Sequence, residues 1–157
     1  DNLILEKGVI TMTKDVSIKK ILVPIDGSKY GEIAVAYASM LAKSCGAYIE
    51  LLSVVNVGEY VPGFEQAGAD LFILKEMAHT AQDILGEHKK MIPEGIHVNT
   101  RVVQGNARDC ILKVAKEENM DLIVIGRRGL GQLEGMILGS VSSYVVANAE
   151  CPVLTVK

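Results

Sequence analysis

The chain has 157 residues, 49% of them hydrophobic, and a formal net charge of −3 at neutral pH. That length suits one domain with a sizeable core, the apolar content excludes a disordered chain, and the charge supplies no basic face for nucleic acid. Cys45, Cys110 and Cys151 lie far apart, with no C-x-x-C and no secretory segment before them, so the expected compartment is the reducing cytoplasm.

Residues 1–17 mix a short apolar patch with charges and show no clear period. They are set apart as an N-terminal extension to a domain at 18–157, with Met12 a candidate natural start. The domain opens at 20–24 with a run apolar on both faces, as a buried parallel strand requires. Asp26-Gly27-Ser28 breaks it, and Ser28 is placed as the N-cap of a helix. Its expected stripe is Tyr30, Ile33, Ala34, Tyr37, Ala38, Leu41, Ala42 and Cys45, with Gly46 as its stop. Residues 48–55 read as a second strand. Residues 56–69, with glycines and a proline among polar residues, read as a long loop that covers a ligand, joins an interface or is a tolerated insertion.

A second helix is expected over 70–91, ended by Pro93-Glu94-Gly95. His79 and His88 lie about half a turn out of phase on it, so they cannot share a metal, and both are placed at the surface or stripe edge. His97 stands on a third strand at 96–103 without partners at ligand spacing, and no protein-built metal site is expected. Asn106 caps a third helix with a stripe at Cys110, Ile111, Val114 and Ala115. Residues 122–125 form the most apolar strand, a last helix carries Val141, Val145 and Ala149, and 152–156 closes the domain as a fifth strand. Residues 130–149 carry few charges, but their glycines, serines and Asn148 make them too polar for a membrane span. Alternating strands and helices predict an α/β fold, a single open parallel sheet with helices on both faces.

Between the fourth strand and the last helix runs Gly126-Arg127-Arg128-Gly129, then nine residues, then Gly139-Ser140-Val141-Ser142. A loop of this kind leaves backbone N–H groups unpaired at a helix N-terminus, where they and the helix dipole suit an anion such as phosphate. In this reading Gly126 ends the strand in a sharp turn and Gly129 removes a Cβ that would hold a phosphate away. Gly139 opens the helix, with Ser140 as its N-cap. The plainer alternative is a set of ordinary loop glycines.

This G-x-x-G, nine residues, G-S pattern resembles the nucleotide motif of ATP-binding universal stress proteins. Ile21-Leu-Val-Pro-Ile-Asp26-Gly-Ser28, Gly105-Asn106-Ala107 and Cys151-Pro-Val-Leu-Thr-Val156 are similar to further segments of that family, so the likeness spans about residues 18–157. The resemblance implies a Rossmann-like five-stranded sheet of order 3-2-1-4-5, an order that spacing alone does not give. It also implies adenine over the first two strands. Pro24, Ile25 and Asp26 would line base and ribose, Val55 would contact adenine through its backbone, and Ile125 and Gly126 would complete the wall. It further implies a twofold dimer through 151–156, where an apolar sheet edge invites a second copy.

The triphosphate of ATP (or the shorter phosphates of ADP or AMP), with Mg2+ carried on phosphate oxygens, would then lie on amides from Gly129 to Ser142, with the hydroxyls of Ser140 and Ser142 as added donors. Asp26 either accepts from a ribose hydroxyl, helps hold a cation, or makes an Asx-type turn. Arg127 and Arg128 either neutralise phosphate or are solvated. There is no G-K-[ST] P-loop, no lysine from 126 to 142 and no evident general base, so rapid phosphoryl transfer lacks machinery. The expectation is therefore a nucleotide-dependent regulatory or stress-response module without catalytic residues. A slow nucleotide hydrolase and a nucleotide-free scaffold of the same fold are the alternatives.

Overall fold

The computed structural model describes residues 2–6, 9–13, 16–56, 71–130 and 138–157. Near the N-terminus, where the sequence shows no clear period, β1 (Asn2–Glu6) and β2 (Val9–Thr13) pair antiparallel, Asn2 opposite Thr13 and Glu6 opposite Val9. Their Leu, Ile, Val and Thr content suits extended backbone.

The domain then alternates as expected: β3 (Lys20–Pro24), α1 (Lys29–Cys45), β4 (Tyr48–Val55), α2 (Leu71–Lys90), β5 (Val98–Gln104), α3 (Ala107–Glu117), β6 (Leu122–Gly126), α4 (Ser140–Asn148) and β7 (Val153–Val156). The five domain strands are parallel in the order β5-β4-β3-β6-β7, which is 3-2-1-4-5 within the domain. The registers Leu22 with Glu50 and Leu22 with Ile123 place β3 at the centre. Successive side chains of a strand face opposite ways, and the strands follow that rule. Ile21, Val23, Ile49, Leu51, Leu122 and Val124 pack with α1 and α2 residues on one face. Leu22, Leu52, Ile123 and Ile125 pack with α3 and α4 residues on the other. Each such leucine or isoleucine, fully buried, contributes about 1.5–3 kcal/mol relative to exposure.

Two expected faces change. α1 buries Gly31, Ala34, Val35, Ala38, Ser39 and Ala42, while Tyr37 is exposed, so its contact face is rotated from the expected stripe. Small residues let the helix backbone come close to the sheet, which bulky ring positions would prevent. His88, expected at the surface or the stripe edge, is 6% exposed, on the buried side of that expectation, and its Nδ1 lies 2.7 Å from the Ile84 carbonyl one turn earlier. His79 is solvent-facing beside Asp83. Element ends shift by a residue or two: β5 begins at Val98 and β7 at Val153. The loop expected at 56–69 lies, beyond Asn56, outside the described residues.

Caps follow local chemistry. Gly46 ends α1 at φ 67°, a left-handed conformation that glycine adopts without Cβ strain. The Asn106 side chain accepts from the Arg108 N–H at 2.9 Å and starts α3. Asp121 accepts from the N–H groups of Lys19 and Lys20 at 2.8 and 2.9 Å, fastening the entry of β3 to that of β6.

Candidate functional site

The connections from β3 and β4 run through α1 and α2 on one face, and those from β5 and β6 run through α3 and α4 on the other. The chain therefore parts to opposite sides between β3 and β6, and the place beyond the carboxyl ends of two such strands is where open α/β sheets take ligands. Asp26 leaves β3 there and the glycine stretch leaves β6.

Asp26 holds the two segments together. Its Oδ1 accepts from the Ser28 N–H at 3.0 Å and its Oδ2 from the Leu130 N–H at 2.8 Å. The first contact is the Asx-type turn, one of the alternatives for this residue, and the second reaches the loop. A carboxylate has about four lone-pair positions, so both bonds leave it able to accept more. Ser28 does occupy the N-cap position of α1, but its hydroxyl makes no capping bond and is enclosed without a partner.

Of the roles expected in the glycine stretch, those of Gly126 and Ser140 change. Gly126 remains within β6, and a Cβ there would stand 2.6 Å from the Tyr30 Cβ and 3.1 Å from the Tyr30 carbonyl group. It permits close packing of the first turn of α1 instead of making a sharp turn. A Cβ on Gly129 would clash with the Asp26 carboxylate. Gly139 has ordinary extended dihedrals, φ −74° and ψ 164°, and is itself the N-cap, so Ser140 is the first helical residue and not the cap. Gly131, Glu134 and Gly135 lie outside the described residues.

Backbone hydrogen bonds fix the rest of the mouth. Arg127 donates to the Val156 carbonyl at 2.8 Å, and its own carbonyl accepts from the Gly139 N–H at 2.7 Å. The Ser142 hydroxyl, on a residue 2% exposed, donates inward to the carbonyls of Arg127 at 2.8 Å and Gly139 at 3.1 Å. It is thus turned into the protein, whereas Ser140 is exposed. Gly139 has no side chain with which to cap α4, and among the described residues nothing accepts from the Ser140, Val141 and Ser142 amides, which have no intrahelical acceptor and suit an anion.

The other expected residues divide between core and rim. Ile25 and Ile125 are buried in opposite core layers, so their side chains are taken up by the core and only their backbone is left for a ligand. The Ile25 N–H already donates to Leu52 at 2.8 Å, and the Val55 carbonyl accepts from Gly105 at 3.0 Å. Pro24 is half-buried at the end of β3, and Arg127 and Arg128 are half-buried. Tyr30, read from the sequence as a helix-stripe residue, stands at this mouth, with the Arg127 guanidinium 5.9 Å and the Lys29 ammonium 5.4 Å from its ring centroid. A hydrogen bond from Arg127 holds the Tyr30 phenol below its ordinary pKa. Partial burial opposes this, while the charges of Lys29, Arg127 and Arg128 reinforce it. The signal in the sequence was position: Tyr30 falls in the first helical turn after Asp26.

Among the described residues no group of three or more His, Cys, Asp or Glu is placed to hold a metal, and no helix is long and apolar enough to cross a membrane.

The family model described as the universal stress protein family matches residues 17–157. A universal stress protein of Methanocaldococcus jannaschii is 36% identical over 140 residues, covering 88% of this chain and 82% of the relative. The universal stress protein UspA from Lactobacillus plantarum shares the fold with a TM-score of 0.80 at 26% identity, covering 91% of this chain and 100% of that one. A universal stress protein from Archaeoglobus fulgidus in complex with dAMP aligns at a TM-score of 0.62 and 20% identity, over 90% of this chain and 99% of that one.

Proposed function

The chain belongs to the universal stress protein family, and from that premise we propose that it is an adenine-nucleotide-binding regulatory module whose output is a nucleotide-dependent conformation or assembly. The observation that carries the reading is the convergence, beyond β3 and β6, of Asp26, Gly129 and the uncapped first turn of α4. Backbone amides and a helix dipole aimed into one crevice suit a phosphate. Asp26, with lone pairs to spare, suits a ribose hydroxyl. The neighbour from Archaeoglobus fulgidus holds dAMP; at its identity the likeness is one of fold, so the local residues carry the argument here.

In this reading Pro24, Ile25 and Val55 border the base through backbone, Ile125 and Gly126 close the wall, and Gly129, Ser140, Val141 and Ser142 receive the phosphates by their amides, while Gly139, its own amide bonded to the Arg127 carbonyl, lines the turn without a side chain. Arg127 and Arg128 supply positive charge. ATP is the reference ligand, with Mg2+ carried on its phosphate oxygens. The three cysteines are free, which suits a reducing compartment such as the cytoplasm. The edge strand β7 supplies the surface for a homodimer.

The test is thermal unfolding with ATP, ADP and AMP, together with mass analysis of nucleotide retained on purification. Free ATP at a hundred times its dissociation constant adds about 2.7 kcal/mol, a shift of several degrees at this chain length. No shift at millimolar Mg-ATP and no retained nucleotide would defeat the reading and favour the nucleotide-free scaffold. Phosphate release at about one per second or faster would favour a hydrolase instead.

A further inference from the structure

The mouth of the crevice carries a group of cations in a chain that is acidic as a whole. Lys29 and Arg127 both lie over the Tyr30 ring, at 5.4 and 5.9 Å from its centroid, and Arg128 adds its charge to the same neighbourhood. Each cation is attracted to the ring, which offsets part of the cost of bringing two like charges to one side chain. Among the described residues no carboxylate lies within ion-pair distance of Lys29 or Arg127. The Arg127 Nε is also enclosed and makes no hydrogen bond. An enclosed donor without an acceptor is costly, and a phosphate oxygen would meet that need.

Geometry fixes this group in place. Gly126 lets Tyr30 lie against the end of β6, and the Arg127 backbone is bonded at once to the end of β7 and the start of α4. The guanidinium therefore has a rigid root next to the uncapped turn of α4 and a rigid ring on which to rest.

We infer that Tyr30 is a positioning residue, holding Arg127, with Lys29 as a second cation on its ring, as a counter-charge for the outer phosphates of a nucleoside polyphosphate, so that the site ranks nucleotides by phosphate number. This rests on the nucleotide reading above and adds to it a source of selectivity. Backbone amides take one phosphate group with little regard for the length of the chain beyond it, whereas a cation cluster gains with each added negative charge.

The experiment is calorimetric titration of ATP, ADP and AMP into the full chain and into Tyr30→Leu, Tyr30→Phe and Arg127→Gln. The wild type is expected to bind ATP more tightly than AMP. Arg127→Gln and Tyr30→Leu are expected to shrink the ATP-to-AMP affinity ratio about tenfold, as for loss of a charged hydrogen bond. Tyr30→Phe, which keeps the ring but loses the phenol oxygen that accepts from Arg127, is expected to fall between Tyr30→Leu and the wild type, and added salt erodes the wild-type preference more than that of Arg127→Gln. If Tyr30→Leu fails to fold, Arg127→Gln alone decides, since its backbone contacts are untouched. Variants that bind with the wild-type ratio overturn the inference and leave the nucleotide reading standing. A wild type that binds none of the three overturns both.

Discussion

Asp26 accepts the Leu130 N–H at 2.8 Å across 104 residues of sequence, and so joins the end of the central strand to the glycine loop of its neighbour. The same side chain turns the chain into α1 through Ser28. Asp26→Ala removes both acceptors, and because the residue is exposed the expected loss is modest, about 1–2 kcal/mol. Thermal unfolding checks this, with Asp26→Asn, which retains one acceptor oxygen, falling between. An unchanged melting temperature in Asp26→Ala would mean that water replaces both contacts without cost.

Gly126, at the end of β6, and Gly129, in the loop beyond it, are expected to fail differently. Gly126→Ala pushes a methyl carbon against the backbone and Cβ of Tyr30, neither of which can swing away, and overpacking of this kind costs about 1–3 kcal/mol. Gly129→Val meets the end of the Asp26 side chain, which can move, so stability falls less while ATP affinity falls more. Parallel denaturation and ATP titration of the two variants separate the effects. Equal stability losses with equal affinities would contradict this division of roles.

Much of this division could not be read from residue types alone. Apolar runs at 20–24, 48–55 and 122–125 become β3, β4 and β6 because buried parallel strands are apolar on both faces, and Gly46 and Asn106 stop and start helices by local chemistry. Which neighbour a glycine must clear is a matter of tertiary approach. Gly126 and Gly129 were legible as special, but Tyr30 and Asp26 as their neighbours were not. The rotated face of α1 and the burial of His88 likewise depend on how closely a helix approaches the sheet, which helical period leaves open. Ser142 was legible as polar and near the motif, but its inward hydroxyl is set by the carbonyls of Arg127 and Gly139.

Away from the site, Arg101 joins Glu50 at 2.6 Å and Glu118 at 2.8 Å, with the Glu50 side chain 4% exposed and that of Glu118 38%. Arg101→Ala leaves a buried carboxylate without its partner, an effect that costs about 3–5 kcal/mol. Glu118→Ala leaves the Arg101–Glu50 pair intact and removes a more exposed contact, costing below about 1 kcal/mol. Urea unfolding gives both numbers. The reverse order would mean that Glu50 is stabilised by something other than Arg101.

Burial pushes the thiols of Cys110 and Cys151 above their ordinary pKa, and nearby carboxylates act in the same direction. A raised pKa means a smaller thiolate fraction at neutral pH and slower alkylation, since the thiolate is the reacting form. Mass-resolved labelling with iodoacetamide should find both slower at pH 7 than in the unfolded chain. Their rates should still be rising at pH values where unfolded thiols have levelled off. Rates matching the unfolded chain would show that these sites open readily.

The proposed dimer has a backbone test. Ile123 and Arg127 of β6 donate to the carbonyls of Pro152 and Val156, so alternation along the strand directs the polar groups of Val153 and Thr155 away from β6, toward the open edge. A second copy pairing there needs the Thr155 N–H, and proline at that position removes it while the ladder to β6 persists. Thr155→Pro is therefore expected to run as a monomer in light scattering at micromolar concentration, where the proposed dimer is expected of the parent chain, with the circular dichroism of the two alike. A side-chain-only interface would leave Thr155→Pro dimeric. A parent chain that is itself monomeric at that concentration would remove β7 as an assembly surface, because an unpaired edge with these apolar residues has nothing else to bring two copies together.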